Sequence, residues 1–151
     1  MANRPSSDYP DIGTLGEDLV TQWLESTGWL ILHRRWNCRW GEIDIIAQRK
    51  DNSGTVILIF VEVKTRSTGS WDAGGRMAIA QQKQVKLSRT AAMFLATFPE
   101  KADYPCRFDV AIVCCERKIT NTNSLASFSA RGLYLTLQEY IPAAFEYLID
   151  N

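Results

Sequence analysis

The sequence predicts an α/β fold, a mixed β-sheet covered by helices on both faces, with its elements in the order αβββαββα. Three observations carry this. Thr14–Thr27 and Met77–Phe98 repeat apolar residues at helical spacing, and Leu30–Lys64 divides into strand-like runs separated by turn residues. The second helix also joins two apolar strands. A connection of that length makes the strands it joins parallel, whereas the three strands before it form an antiparallel meander.

In the first helix, Leu15, Leu19, Val20, Trp23 and Leu24 form one apolar face, and Gly28 supplies the stop. Leu30–Trp36 and Glu42–Gln48 read as strands around a loop at Asn37–Gly41. The turn Asp51-Asn52-Ser53-Gly54 leads into a third strand, Thr55–Lys64. Ser67–Gly75, rich in glycine and holding Trp71, predicts a surface loop. The long helix ends at Pro99, and Arg107–Cys115 is a fourth strand. Asn121–Arg131 reads as a polar connection and Gly132–Leu137 as a short fifth strand. Gln138–Asp150 reads as a closing helix with Ile141, Ala144, Phe145 and Leu148 on one side. Residues 1–10, polar with two prolines, predict a flexible arm, and 11–151 a single domain.

Composition narrows the function. With 46% hydrophobic residues and no apolar run near the ~20 residues of a bilayer span, the chain reads as a cytoplasmic globular protein with no membrane partner. Its 17 basic and 17 acidic side chains cancel, which argues against a broadly basic nucleic-acid binder but not against a local basic groove. Arg34, Arg35 and Arg39 crowd one segment, and Lys83, Lys86 and Arg89 recur in another. The four cysteines lack paired spacing, and His33 is the sole histidine, so zinc and histidine-based nucleophile chemistry are poorly supplied.

The chemistry-bearing residues lie in Gly41-Glu42-Ile43-Asp44-Ile45-Ile46-Ala47 and Phe60-Val61-Glu62-Val63-Lys64. Apolar residues run from Val56 to Val61, as in a strand covered on both faces, before Glu62 and Lys64 interrupt on one face. A hairpin centred near Ser53 sets Asp44 across from Glu62 and Glu42 across from Lys64. Facing carboxylates about 5 Å apart destabilise a hairpin unless a cation bridges them. Oxygen ligands without His or Cys suit Mg²⁺ or Mn²⁺. Lys64 is then either a cross-strand partner of Glu42 or an ammonium that stabilises charge on a phosphate.

Three further groups have two readings each. Glu17 either closes a capping box with Thr14 or supplies a third carboxylate, since its helical angle turns it inward beside Leu24. Lys83, within the stripe of Ile79, Leu87 and Phe94, either snorkels to solvent or reaches over the carboxylates to meet a phosphate, with Gln82 a weaker candidate beside it. Trp36, Trp40 and Trp71 flank loops near the cluster and either pack or stack on bases. Asp109, in Arg107-Phe108-Asp109-Val110, reads as structural.

Together these residues resemble the YraN family of small bacterial proteins regarded as predicted endonucleases. The resemblance rests on Gly16-Glu17, GEIDIIA at 41–47, FVEVKTR at 60–66, Lys83, RFDV at 107–110 and Ala144-Phe145. That family is similar to the PD-(D/E)XK group, which includes archaeal Holliday-junction resolvases. The resemblance implies a restriction-endonuclease-like αβα sandwich and metal-dependent hydrolysis of phosphodiester bonds. Asp44, Glu62 and Lys64 match the catalytic motif, with Ile43 standing where the motif has proline, and Glu17 matches the first-helix acid. The implied metal site is Glu17, Asp44, Glu62 and the Val63 carbonyl holding Mg²⁺ or Mn²⁺, with Lys64 positioning the nucleophile. Arg34, Arg66 and Lys83 would hold the nucleic-acid backbone. DNA, branched DNA included, is the favoured substrate, and two-strand chemistry suggests a homodimer. The competing class is a non-catalytic nucleic-acid-binding or scaffold protein on the same fold.

Overall fold

The computed structural model describes residues 11–67, 81–118 and 123–146. The N-terminal arm, the loop expected from residue 68 onward with Trp71, and the start of the long helix lie outside the described residues.

The first helix, α1, spans Ile12–Ser26 and begins before Thr14 because Asp11 caps it. The Asp11 carboxylate accepts the amides of Gly13 and Thr14 at 3.0 and 3.4 Å, and the Thr14 hydroxyl at 3.0 Å. Thr14 is therefore inside the first turn, and the capping box, one of the two readings of Glu17, does not form. The helix ends as its composition predicts, at Gly28 in a left-handed conformation (φ +99°), with Trp29 N–H returning to the Leu24 carbonyl.

Three antiparallel strands follow, β1 (Leu30–Cys38), β2 (Gly41–Lys50) and β3 (Val56–Ser67). The β2–β3 turn is knit by the Asp51 carboxylate, which accepts the Ser53 and Thr55 amides. Helix α2 (Gln81–Thr97) and a 3-10 turn at Pro99–Lys101 lead to β4 (Cys106–Glu116), which pairs parallel to β3 as the crossover requires. Strands β5 (Ala126–Ala130) and β6 (Leu133–Phe145) complete a six-stranded sheet of order β1-β2-β3-β4-β6-β5.

The last two strands depart from the sequence reading. The polar connection contains β5, whose Ala126 and Phe128 pack inward while Ser127 and Ser129 face solvent. Arg131 and Gly132, both at positive φ, turn it into β6. The residues expected to form the closing helix continue β6 as far as Phe145. Pro142 disfavours a helix interior, and Asp109 draws the chain into the sheet. This fully buried carboxylate accepts the Tyr140 hydroxyl at 2.5 Å, the Ala143 amide at 2.9 Å and the Arg107 guanidinium at 2.9 Å. Ala143 adopts φ +52° to deliver its amide there. Burial of a carboxylate with this many donors fits the structural role expected of Asp109.

The sheet divides two apolar layers. On one face Leu19, Val20 and Leu24 of α1 pack on Ile45, Ile59, Val61, Ala111 and Val113. On the other, Leu87, Ala91 and Phe94 of α2 pack on Ile43, Ile46, Leu58, Phe60 and Phe108. The result is the helix–sheet–helix architecture the sequence predicts, with α1 and α2 as its outer layers among the described residues.

Candidate functional site

The site is built where β2 and β3 part. Their ladder runs from Lys50↔Val56 to Ile45↔Val61, the register expected from a turn centred near Ser53. At Asp44 the alternation of β2 breaks, for Ile43 joins the α2 layer although Ile45 belongs to the α1 layer. The Asp44 carboxylate fills the opening, its Oδ2 accepting the Val63 amide at 2.8 Å. A side chain thus takes the acceptor position that a neighbouring strand would occupy.

Asp44, half-buried, lies against Glu62, which is buried. Burial, then the charge of Glu62, push the Asp44 carboxyl up to about 8, while the Val63 amide pulls it down. Raised that far, the Asp44 carboxyl keeps its proton at neutral pH. A counter-charge comes from Lys83 of α2, whose Nζ forms an ion pair with Glu62 Oε2. That ion pair engages Glu62 and leaves Asp44 to the Val63 amide.

An open cleft of about 450 Å³ covers these groups, lined by Gly41, Glu42, Asp44, Glu62, Gln82, Lys83, Lys86 and Leu87. Lys64 follows Glu62 on β3. Its ammonium pKa is lowered, chiefly by burial and then by the charges of Arg66 and Lys83, against which Glu62 acts. Glu42 lies opposite Asn37 of β1 and lines the cleft.

Glu17 is near enough for its charge to raise Asp44, yet it is committed elsewhere. Its Oε1 accepts Arg35 Nε at 2.8 Å and lies 3.5 Å from Arg34 Nη2. Arg34 also donates to Asp18 at 2.9 Å. Adjacent strand residues ordinarily point to opposite faces, but Arg35 sits at φ +55°, beyond a register shift in β1, and both arginines reach Glu17. Arg35 is the functional neighbour that sequence reasoning does not single out; Arg34 and Arg35 side by side are the available signal. The Arg66 guanidinium donates to the Thr65 carbonyl at 3.0 Å on the exposed end of β3.

Gly16 explains how α1 brings Glu17 so close. A Cβ at Gly16 would overlap the Thr65 hydroxyl, so only glycine allows the helix this approach to β3. That hydroxyl is buried without a hydrogen-bond partner.

The donor set fits a hard divalent cation in part. Asp44, with its carboxyl pKa raised, and Glu62, paired with Lys83, are adjacent oxygen donors, and a bound ion would displace the proton of the one and the ammonium of the other. Val63 directs its N–H to Asp44, and its carbonyl leaves the same strand edge. The third carboxylate is not delivered: among the described residues no three His, Cys, Asp or Glu side chains converge on one metal position. The four cysteines are free thiols, and among the described residues no helix is long and apolar enough to cross a membrane.

The chain is similar to known proteins over most of its length. A family model described as "Uncharacterised protein family UPF0102" matches residues 16–113. A UPF0102 protein of Trichormus variabilis is 57% identical over 147 residues, covering 93% of this chain and 97% of the relative. One from Nostoc sp. is 59% identical over 140 residues, covering 92% and 96%. A third, from Synechocystis sp., is 42% identical over 149 residues, covering 89% and 97%.

Proposed function

The chain belongs to the uncharacterised protein family UPF0102, the YraN group, and from that premise we propose that it is a metal-dependent endonuclease of PD-(D/E)XK type. Its substrate would be the phosphodiester backbone of nucleic acid, with DNA, branched forms included, the favoured polymer. One observation carries the reading: half-buried Asp44 and buried Glu62 lie side by side where β2 leaves β3, lining an open cleft. An arrangement that raises Asp44 to about 8 is a poor structural choice and a good one for binding a cation.

A Mg²⁺ or Mn²⁺ ion held by Asp44, Glu62 and the Val63 carbonyl would supply Lewis-acid polarisation of the phosphate and a water of lowered pKa. The protein's own groups do the rest. Lys64, with its pKa depressed, holds the attacking water or the developing phosphate charge. Lys83 leaves Glu62 for a phosphate oxygen when substrate fills the cleft. Glu17 and Arg35 fix the charge behind Asp44 without contacting substrate. Arg34 and Arg66 extend the basic contacts to the flanking backbone.

The competing reading, a nucleic-acid-binding protein without catalysis, draws on the ion pairs that already neutralise Glu62 and Glu17. A panel of labelled linear and branched oligonucleotides, DNA and RNA, incubated with Mn²⁺ separates the two. The endonuclease reading expects cleavage by the wild type that is lost in Glu62→Gln. Cleavage that survives this substitution, or its absence from every substrate, refutes it.

A further inference from the structure

The two basic segments noted in the sequence meet at a single ring. Trp40, half-buried in the turn between β1 and β2, has the Arg39 guanidinium carbon 5.0 Å from its centroid and that of Arg89, from α2, at 4.8 Å. The two guanidinium carbons therefore lie within about 10 Å of each other. The ring face attracts both cations and holds the two guanidiniums at one place beside the cleft. The turn is held in place for this. Trp40 N–H donates to Cys38 Sγ at 3.4 Å, and a Cβ on Gly41 (φ +151°) would come within 3.4 Å of Thr90 Oγ1, so the turn sits directly against α2.

This cluster continues the cleft. Gly41, next to Trp40, lines it, and so do Lys83 and Lys86, which with Arg89 form a stripe at three-residue spacing along α2. We propose that Arg39, Trp40 and Arg89 form a clamp that grips the nucleic-acid strand next to the phosphate bound over Asp44 and Glu62. A strand carries one charge per ~3.4 Å of axis, so guanidiniums within about 10 Å of each other can both meet phosphates of one strand. A small phosphoester would leave the clamp idle. The zero net charge of the chain makes the local cluster decisive for an anionic polymer. The inference rests on the endonuclease reading for the identity of its ligand, but not on catalysis.

The test is fluorescence anisotropy with labelled single-stranded and duplex oligonucleotides in EDTA, across a salt series. Wild type, Arg39→Gln/Arg89→Gln and Glu62→Gln are compared. The double variant should bind single strands at least about tenfold more weakly, with its salt slope shallower by ~1.4, or ~0.7 per lost phosphate contact. Glu62→Gln should bind at least as tightly as wild type. Should the double variant not fold, Arg39→Gln alone, at an exposed turn position, should show half the slope change. Unchanged affinity and slope in the arginine variants, or no oligonucleotide binding by wild type, overturns the clamp. Clamp-dependent binding without cleavage would retire the endonuclease reading and uphold the clamp. Cleavage with undiminished binding by the double variant would retire the clamp alone.

Discussion

Replacing Asp44 with asparagine should remove a pH dependence of stability that the wild type carries. The Asp44 carboxyl has an ordinary value near 3.8 and stands at about 8 in the folded protein, through burial and then the charge of Glu62. Between those limits the folded state binds a proton that the unfolded state has released. The sign follows: a raised pKa contributes stability that is complete below about pH 4 and is lost as pH rises towards 8. The slope is at most ~1.4 kcal/mol per pH unit for one proton, so several kcal/mol disappear across the window. That is a large share of the ~5–15 kcal/mol typical of a domain. The substituted amide keeps an oxygen for the Val63 N–H and cannot ionise. Asp11 and Asp51, whose pKa values are lowered by local hydrogen bonds, act in the opposite direction but are common to both proteins. Urea denaturation of wild type and Asp44→Asn in EDTA, at intervals from pH 5 to 9, isolates the effect. The variant should gain on the wild type with rising pH until about pH 8, and the difference should then level off. Parallel stability profiles would refute the proposed state of the pair.

Gly16→Ala should cost about 1–3 kcal/mol because its methyl overlaps the Thr65 hydroxyl, and the loss should shrink in a Thr65→Ala background; a double-mutant cycle by denaturation measures it. Lys83→Met should raise Mn²⁺ affinity several-fold, since the ammonium that competes for Glu62 is gone, and calorimetry reads this directly. Tyr140→Phe should destabilise by about 1–3 kcal/mol by removing a donor from buried Asp109, yet leave Mn²⁺ affinity unchanged, as thermal unfolding and calorimetry together would show.

Much of this architecture is legible in the sequence where local signals agree. The β2–β3 register follows from the Asp51–Gly54 turn, and the parallel placement of β4 follows from the intervening helix. The C-terminal third is harder for physical reasons. Ala126, Ser127 and Ser129 have little strand preference of their own, and β5 forms because Ala126 and Phe128 complete the α1-side layer. Ile141, Ala144 and Phe145 mimic a helix face, but the needs of buried Asp109, distant in sequence, fix that segment in β6. At the site, the nearness of Asp44 to Glu62 is readable from hairpin phase. The commitment of Glu17 to Arg35 is not, because it depends on a strand irregularity and a positive φ that residue types do not announce. The union of Arg39 and Arg89 on Trp40 likewise arises only when the turn meets α2.

Metal binding at the carboxylate pair is best tested by Mn²⁺ titration calorimetry of wild type and Asp44→Asn near pH 7, repeated in two buffers of different ionisation enthalpy. Asp44, protonated at that pH, must shed its proton to accept the ion. The wild type should bind with release of about one proton, and the variant should lose both binding and proton release. No binding by the wild type, or equal binding by the two proteins, would contradict a metal site on Asp44 and Glu62.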